Sequence, residues 1–172
     1  SAINELIEIS DPDLNLNTFF IWPEGIIPNI EQSELKNFNY LFNEKFNENH
    51  LLGIGINRYQ KKLYNTFSIY DHNLNLIHSY NKVNLVPFGE FLPFKGILEK
   101  IGLKSLTNNY QPFNSGKTRA IIEINQNNFL IKILPLICYE IIYSGKIFTS
   151  PEFDYIINIS EDGWFGNSIG PE

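Results

Sequence analysis

Short apolar runs, set apart by polar and Asn-rich stretches, organise this chain. Residues 17–22, Asn-Thr-Phe-Phe-Ile-Trp, have strand length, and Pro23, which cannot donate to a sheet ladder, should end them. Residues 51–57 predict a second strand, where Gly53 and Gly55 point to a bulge or a close backbone approach. Residues 64–70 and 75–80 predict two more, joined by the polar turn Asp71-His72-Asn73. Residues 120–124 and 129–133 predict a hairpin around 125–128, and 153–160 a further buried strand. One segment has helical spacing: over 31–48, Leu35, Phe38, Leu41, Phe42 and Phe46 fall on one face. Glu31 and Glu34 sit in its first turn, where the helix dipole favours acids. A short helix is expected over 97–101. Residues 1–16 read as a loop or the tail of an element. Residues 83–96 read as an ordered aromatic loop that Pro87, Gly89 and Pro93 keep irregular, and 105–117 and 161–171 as further loops.

The remaining apolar stretch, 129–143, holds the chain's single cysteine, Cys138. It reads as a buried strand that ends at Cys138 and turns into a helix carrying Ile141, Ile142 and Tyr143, with Pro135 a candidate break. A thiol at that turn would meet the unpaired N–H groups of the helix, which favour the thiolate. The competing reading is a buried core cysteine.

Glu24 and Lys82 share the address of Cys138: each lies at or just past the end of an apolar strand. In a sheet of aligned strands such ends converge in one cleft. A carboxylate, an ammonium and a thiol brought together there can run acyl transfer. The carboxylate takes the thiol proton, the thiolate attacks a carbonyl, and the lysine stabilises the oxyanion. Taken alone, Glu24 would read as a solvated loop acid. A Cys–His pair would need His50, His72 or His78, which lie after a surface helix or in a hairpin. No His-x-x-x-His pair and no Walker glycine loop is present, so neither a metal nor a cofactor is expected.

Composition narrows the classes. The chain has 172 residues, room for one domain, and 43% hydrophobic residues can fill a core. A formal charge of -6 and the lack of a basic stripe argue against nucleic acid. One cysteine excludes an internal disulfide framework. The longest apolar stretch is too short to span a bilayer and is interrupted by Lys132, Pro135 and Glu140. The chain contains no methionine, so it is expected to be a processed chain or a piece of a longer one.

Trp22-Pro23-Glu24, Tyr80-Asn81-Lys82 and Ile137-Cys138-Tyr139-Glu140 occur in the order and context of the nitrilase, or carbon–nitrogen hydrolase, superfamily. That resemblance implies an α/β fold, the α-β-β-α sandwich, with Glu24 as base, Lys82 as oxyanion residue and Cys138 as nucleophile. A narrower likeness runs from about Thr18 to the end of the chain. Lys82-Val83-Asn84-Leu85-Val86-Pro87-Phe88-Gly89-Glu90-Phe91-Leu92-Pro93, Trp22 to Pro28, Cys138 to Ile142 and Asp162 to Pro171 resemble the apolipoprotein N-acyltransferase family of bacterial membrane enzymes. Soluble amidases of the superfamily usually carry Asp where Glu140 stands and lack the Val-Pro-Phe-Gly-Glu stretch.

What that likeness implies is specific. The family moves an acyl chain from a phospholipid donor to the N-terminal cysteine amine of an apolipoprotein acceptor, through a thioester on the enzyme cysteine. It works at the bacterial inner membrane, with the catalytic domain facing the periplasm and held by membrane segments outside this chain. Glu90 and Glu140 would support Lys82 and Cys138, and Phe88, Trp164 and Phe165 would shape substrate access. Apolar loops there would suit a lipid, because they can dip into the membrane interface. Glu161 departs from the likeness, since the family often has Asn before the Asp. The chain is then expected to be the central part of one such domain, with the sandwich incomplete at both ends. The alternatives are a soluble carbon–nitrogen hydrolase acting on a small amide, and an inactive truncated module.

Overall fold

A computed structural model describes residues 2–93, 111–126, 128–146 and 152–161. The expected helix over 97–101, Trp164 and Phe165 lie outside the described residues. Seven strands are described, in two sheets. The first has the order β1-β2-β3-β4, formed by β1 (Thr18–Trp22), β2 (His50–Tyr59), β3 (Leu63–Asp71) and β4 (Leu76–Asn81). The second has the order β5-β6-β7, formed by β5 (Ile122–Gln126), β6 (Phe129–Ile137) and β7 (Tyr155–Ile159). In the first sheet β1 runs parallel to β2, while β3 is antiparallel to both β2 and β4. In the second, β5 is antiparallel and β7 parallel to β6.

Side-chain alternation builds the layers. Along β2, Leu52, Ile54 and Ile56 point to one core with Trp22 and Tyr70, while Leu51 points to the other with Phe67 and Ile69. The second core also takes Ile122, Ile124, Ile133, Ile137 and Ile159, so it lies between the two sheets. With both faces covered, the run Leu51–Ile56 is buried throughout, as a strand between layers must be. Gly53 and Gly55 interrupt it for a steric reason. A Cβ at Gly53 would lie 2.6 Å from the Phe67 ring, and one at Gly55 would lie 2.7 Å from the backbone of Glu24.

Helical segments cover the outer face of the first sheet. Residues 1–16, read as a loop or the tail of an element, contain the helix α1 (Ala2–Ser10), whose Ile3 and Ile7 are buried one turn apart. The Trp22 indole N–H ties its end to β1 by donating to Ser10 Oγ at 3.0 Å. The long helix expected over 31–48 is not there. Its place is taken by a 3-10 turn, Leu35–Phe38, and one α-turn, Asn39–Phe42. The apolar positions still serve: Leu35, Phe42 and Phe46 are buried. Asparagines at 37, 39, 43 and 47 weaken the helix by competing for its backbone bonds. Residue 31 instead bridges to Asn57 of β2, past the end of β1, and Gln32 hydrogen-bonds Ser68 and Ser79 at 2.6 and 2.8 Å. Pro135 makes no break in β6. The ladder to β5 ends at Ile133, so a residue without an N–H fits beyond it.

Candidate active site

Strand directions bring the predicted residues together. β1, β2 and β4 all run the same way, so Glu24 and Lys82 leave the same end of the first sheet although β1 and β4 are its opposite edges. Cys138 follows the last residue of β6. Glu24, Lys82, Glu90 and Cys138 line one cavity of about 560 Å3, with Asn65, Val86, Phe113, Tyr139, Ile141, Ile142 and Glu161 among its walls.

Lys82 is 1% exposed, and its ammonium stands 2.8 Å from Glu90 and 3.9 Å from Glu24. A buried ammonium is costly without such partners. Asn65, near the start of β3, donates through Nδ2 to both carboxylates, at 2.9 Å to Glu90. The Glu90 carboxylate also accepts from the Val86 amide at 2.9 Å, which folds the 86–90 loop over the lysine. Burial pushes the Glu24 carboxyl above its ordinary value, against the opposing pull of Lys82 and the Asn65 bond. One Glu24 oxygen, Oε2, is buried with no hydrogen-bond partner among the described residues. A carboxylate of that kind is a stronger base than a solvated one.

Cys138 is free, half-buried and held at φ 54°, in the left-handed region that side chains rarely adopt. It opens the kinked 3-10 helix Cys138–Lys146. The expectation of a thiolate favoured by the helix end needs correcting. Burial pushes the thiol up, and the Glu24 charge adds to that, outweighing Lys82 and the Tyr139 amide. The thiol therefore needs a base before it can attack.

Glu140 is fully buried, and its bonds run to the peptides beside the lysine and the thiol. Its Oε1 accepts from the amides of Val83 and Asn84 at 2.8 and 2.9 Å, and its Oε2 from the amide of Ile137 at 3.0 Å. The Tyr80 hydroxyl donates at 3.0 Å, and Arg119 Nη2 stands 3.6 Å away. One carboxylate thus fixes the peptide after Lys82 to the peptide before Cys138.

Other expected residues fall differently. Phe88 is 70% exposed at φ 63° and is not among the described cavity walls. Ile141, Ile142 and Tyr143, expected on a helix after Cys138, lie on the kinked 3-10 helix and are exposed. Ile142 and Tyr143 line a smaller hollow of about 170 Å3 with Leu85, Val86, Pro87 and Tyr139. His50 is buried by a structural role, taking the Asn47 amide at 3.2 Å and meeting the Asp13 carbonyl at 3.0 Å. Sequence reasoning missed Asn65 and Arg119. The only local signal for Asn65 was an amide side chain on an otherwise apolar, inward-facing strand position.

A two-sheet α/β structure with these residues in one cavity is that of a nitrilase-fold protein, and the chain belongs to the carbon-nitrogen hydrolase family, whose model matches residues 21–172. Within that family it is similar to apolipoprotein N-acyltransferases. The protein of that name from Rickettsia prowazekii is 36% identical over 169 residues, covering 92% of this chain and 32% of that protein. The one from Bradyrhizobium diazoefficiens is 39% identical over 111 residues, covering 64% of this chain and 20% of that protein. The chain thus spans about a third or less of these curated relatives. Among solved structures, an amidase of the nitrilase superfamily from Nesterenkonia sp. AN1 superposes with a TM-score of 0.58 at 10% identity, covering 92% of this chain and 56% of that one. A CN-hydrolase superfamily protein from Xanthomonas campestris gives 0.55 at 13% identity, covering 92% and 57%. These two likenesses concern the fold. No helix among the described residues is long and apolar enough to cross a membrane.

Proposed function

We propose that this chain is the catalytic core of an apolipoprotein N-acyltransferase that carries the acyl group as a thioester on Cys138. The observation that carries the reading is the strained, free thiol of Cys138 sharing one cavity with Glu24 and a lysine clamped by two carboxylates. The apolar wall of Val86, Phe113, Ile141 and Ile142 suits an acyl chain, and the similarity to the named relatives points the same way.

The residues take these roles. Glu24 removes the Cys138 proton, and Sγ attacks the ester carbonyl of a phospholipid. Lys82 holds the oxyanion. Collapse breaks the C–O bond, and Glu24 returns the proton to the leaving alcohol, a lysophospholipid. The N-terminal amine of the apolipoprotein then attacks the thioester carbon and gives its proton to Glu24. Collapse expels the thiolate, which recovers that proton and leaves an amide. Glu90 keeps Lys82 in place, and Glu140 keeps the peptides beside Lys82 and Cys138 in register. Phe88, exposed on the 86–90 loop, meets the lipid surface. By the same reading the work is done at the bacterial inner membrane, on its periplasmic side.

The test is to incubate the full-length protein with isotope-labelled phospholipid and weigh it. An acyl adduct on Cys138 is expected, absent in Cys138→Ser and discharged by a peptide with an N-terminal lipidated cysteine. Adduct formation at the wild-type level in Cys138→Ser overturns the nucleophile. Discharge only to free fatty acid, never to the peptide amine, makes the protein a hydrolase.

A further inference from the structure

Residues 113–119 have no regular secondary structure, yet their polar groups share a target. The Phe113 amide donates to the Glu90 carbonyl at 2.8 Å, and the Gly116 amide to the Lys82 carbonyl at 2.8 Å. The Ser115 hydroxyl donates to the Val83 carbonyl, and Arg119 Nη2 to Asn84 Oδ1 at 2.8 Å. The Asn114 amide donates to the Leu63 carbonyl at 2.8 Å, two residues before Asn65. The segment is therefore stitched along the peptide that carries both Lys82 and Glu90.

Two positions on it leave no slack. A Cβ at Gly116 would run into the carbonyl oxygen of Asn81, a backbone atom that cannot swing aside. Arg119 spans from Asn84 to Glu140, the carboxylate that also holds the Ile137 amide before Cys138. A single hydrogen bond of this kind adds little to stability. Position matters more for catalysis, because a misplacement of about 1 Å can cost about 10²-fold in rate.

We propose that residues 113–119 are a positioning strap for the cavity lysine, in which Gly116 sets the distance to the Lys82 peptide and Arg119 couples the strap to Glu140. The turnover readout rests on the acyl-transfer reading above; the thiol readout does not. Cys138 is faced by Glu24, Lys82 and Glu90 and by the Tyr139 amide, and of the three charges only Lys82 favours the thiolate. A strap that slips lets the ammonium drift, so the thiol should become harder to ionise.

The experiment is iodoacetamide labelling of Cys138 against pH in the full-length protein, with thermal unfolding measured alongside. Gly116→Ala and Arg119→Gln should move the labelling midpoint up and slow labelling at pH 7 by about 10-fold, with kcat falling more than KM changes. Arg119→Lys, which keeps the charge but loses the planar fork, should fall between. Lys117→Ala, exposed on the same strap, should behave as wild type. Folded Gly116→Ala and Arg119→Gln proteins with a wild-type midpoint overturn the proposal. If those two do not fold, a folded Arg119→Lys protein with a wild-type midpoint overturns it equally. Shifted thiol profiles in a protein that transfers no acyl group would leave the strap standing and remove the acyltransferase.

Discussion

Replacing Glu140 by Gln should destabilise the protein well beyond an ordinary surface change. The carboxylate, buried from solvent, accepts three backbone amides and the Tyr80 hydroxyl. In the amide, the remaining oxygen can keep Val83 and Asn84. The new NH2 group then faces the Ile137 amide, donor against donor, while Tyr80 can rotate to accept. One charge-assisted bond is lost, worth about 1.5–3 kcal/mol, and the Ile137 N–H is left buried without an acceptor. Arg119 also loses the charge it stands beside. The sum is about 3 kcal/mol. A domain of about 150–250 residues loses about 2–4 °C of Tm per kcal/mol, so a fall of about 6–12 °C is expected. Differential scanning calorimetry of the purified protein measures it, with Glu123→Gln, exposed on β5, as the neutral control. A fall of less than about 2 °C would refute the view that Glu140 ties the two peptides together.

Two further substitutions should separate thiol ionisation from turnover. Glu24→Gln and Lys82→Met should each slow acylation by about 10²-fold or more, yet shift iodoacetamide labelling of Cys138 oppositely, because Glu24 raises the thiol and Lys82 lowers it. Labelling should titrate at lower pH in Glu24→Gln and at higher pH in Lys82→Met; a shift of the same sign in both would sink the charge assignment. Gly55→Ala should cost about 1–3 kcal/mol and also at least about 10-fold in acylation, since its Cβ would press on the Glu24 backbone. Gly53→Ala, whose Cβ presses first on the Phe67 and Phe19 rings, should lose stability without that loss of rate.

Much of the sheet structure was legible because a strand writes itself locally. The runs at 17–22 and 64–70 recur within a residue or so as β1 and β3, and Gly55 did mark a close backbone approach. The helix over 31–48 was legible only as a pattern of burial. Its apolar spacing was right, but asparagines and the bridge at residue 31 decided the backbone. The short α1 was legible only as a loop or the tail of an element, because nine residues with Ile3, Leu6 and Ile7 turned inward make too few turns to set a period.

By itself, then, the sequence determined which strands exist and that Glu24, Lys82 and Cys138 each stand at a strand end. That follows from local rules, since a proline, a polar residue or a turn ends an apolar run wherever it occurs. Tertiary structure decided what those ends meet. Asn65 reaches Glu24 across 41 residues, and Arg119 reaches Asn84 across 35, through strand order and direction that no local pattern encodes. It decided, too, that Ile141 and Ile142 face the cavity rather than the core. Above all it decided the direction in which the thiol's ionisation is pushed. A helix end considered alone favours the thiolate, whereas burial beside Glu24 disfavours it, and burial is a property of the whole packed molecule.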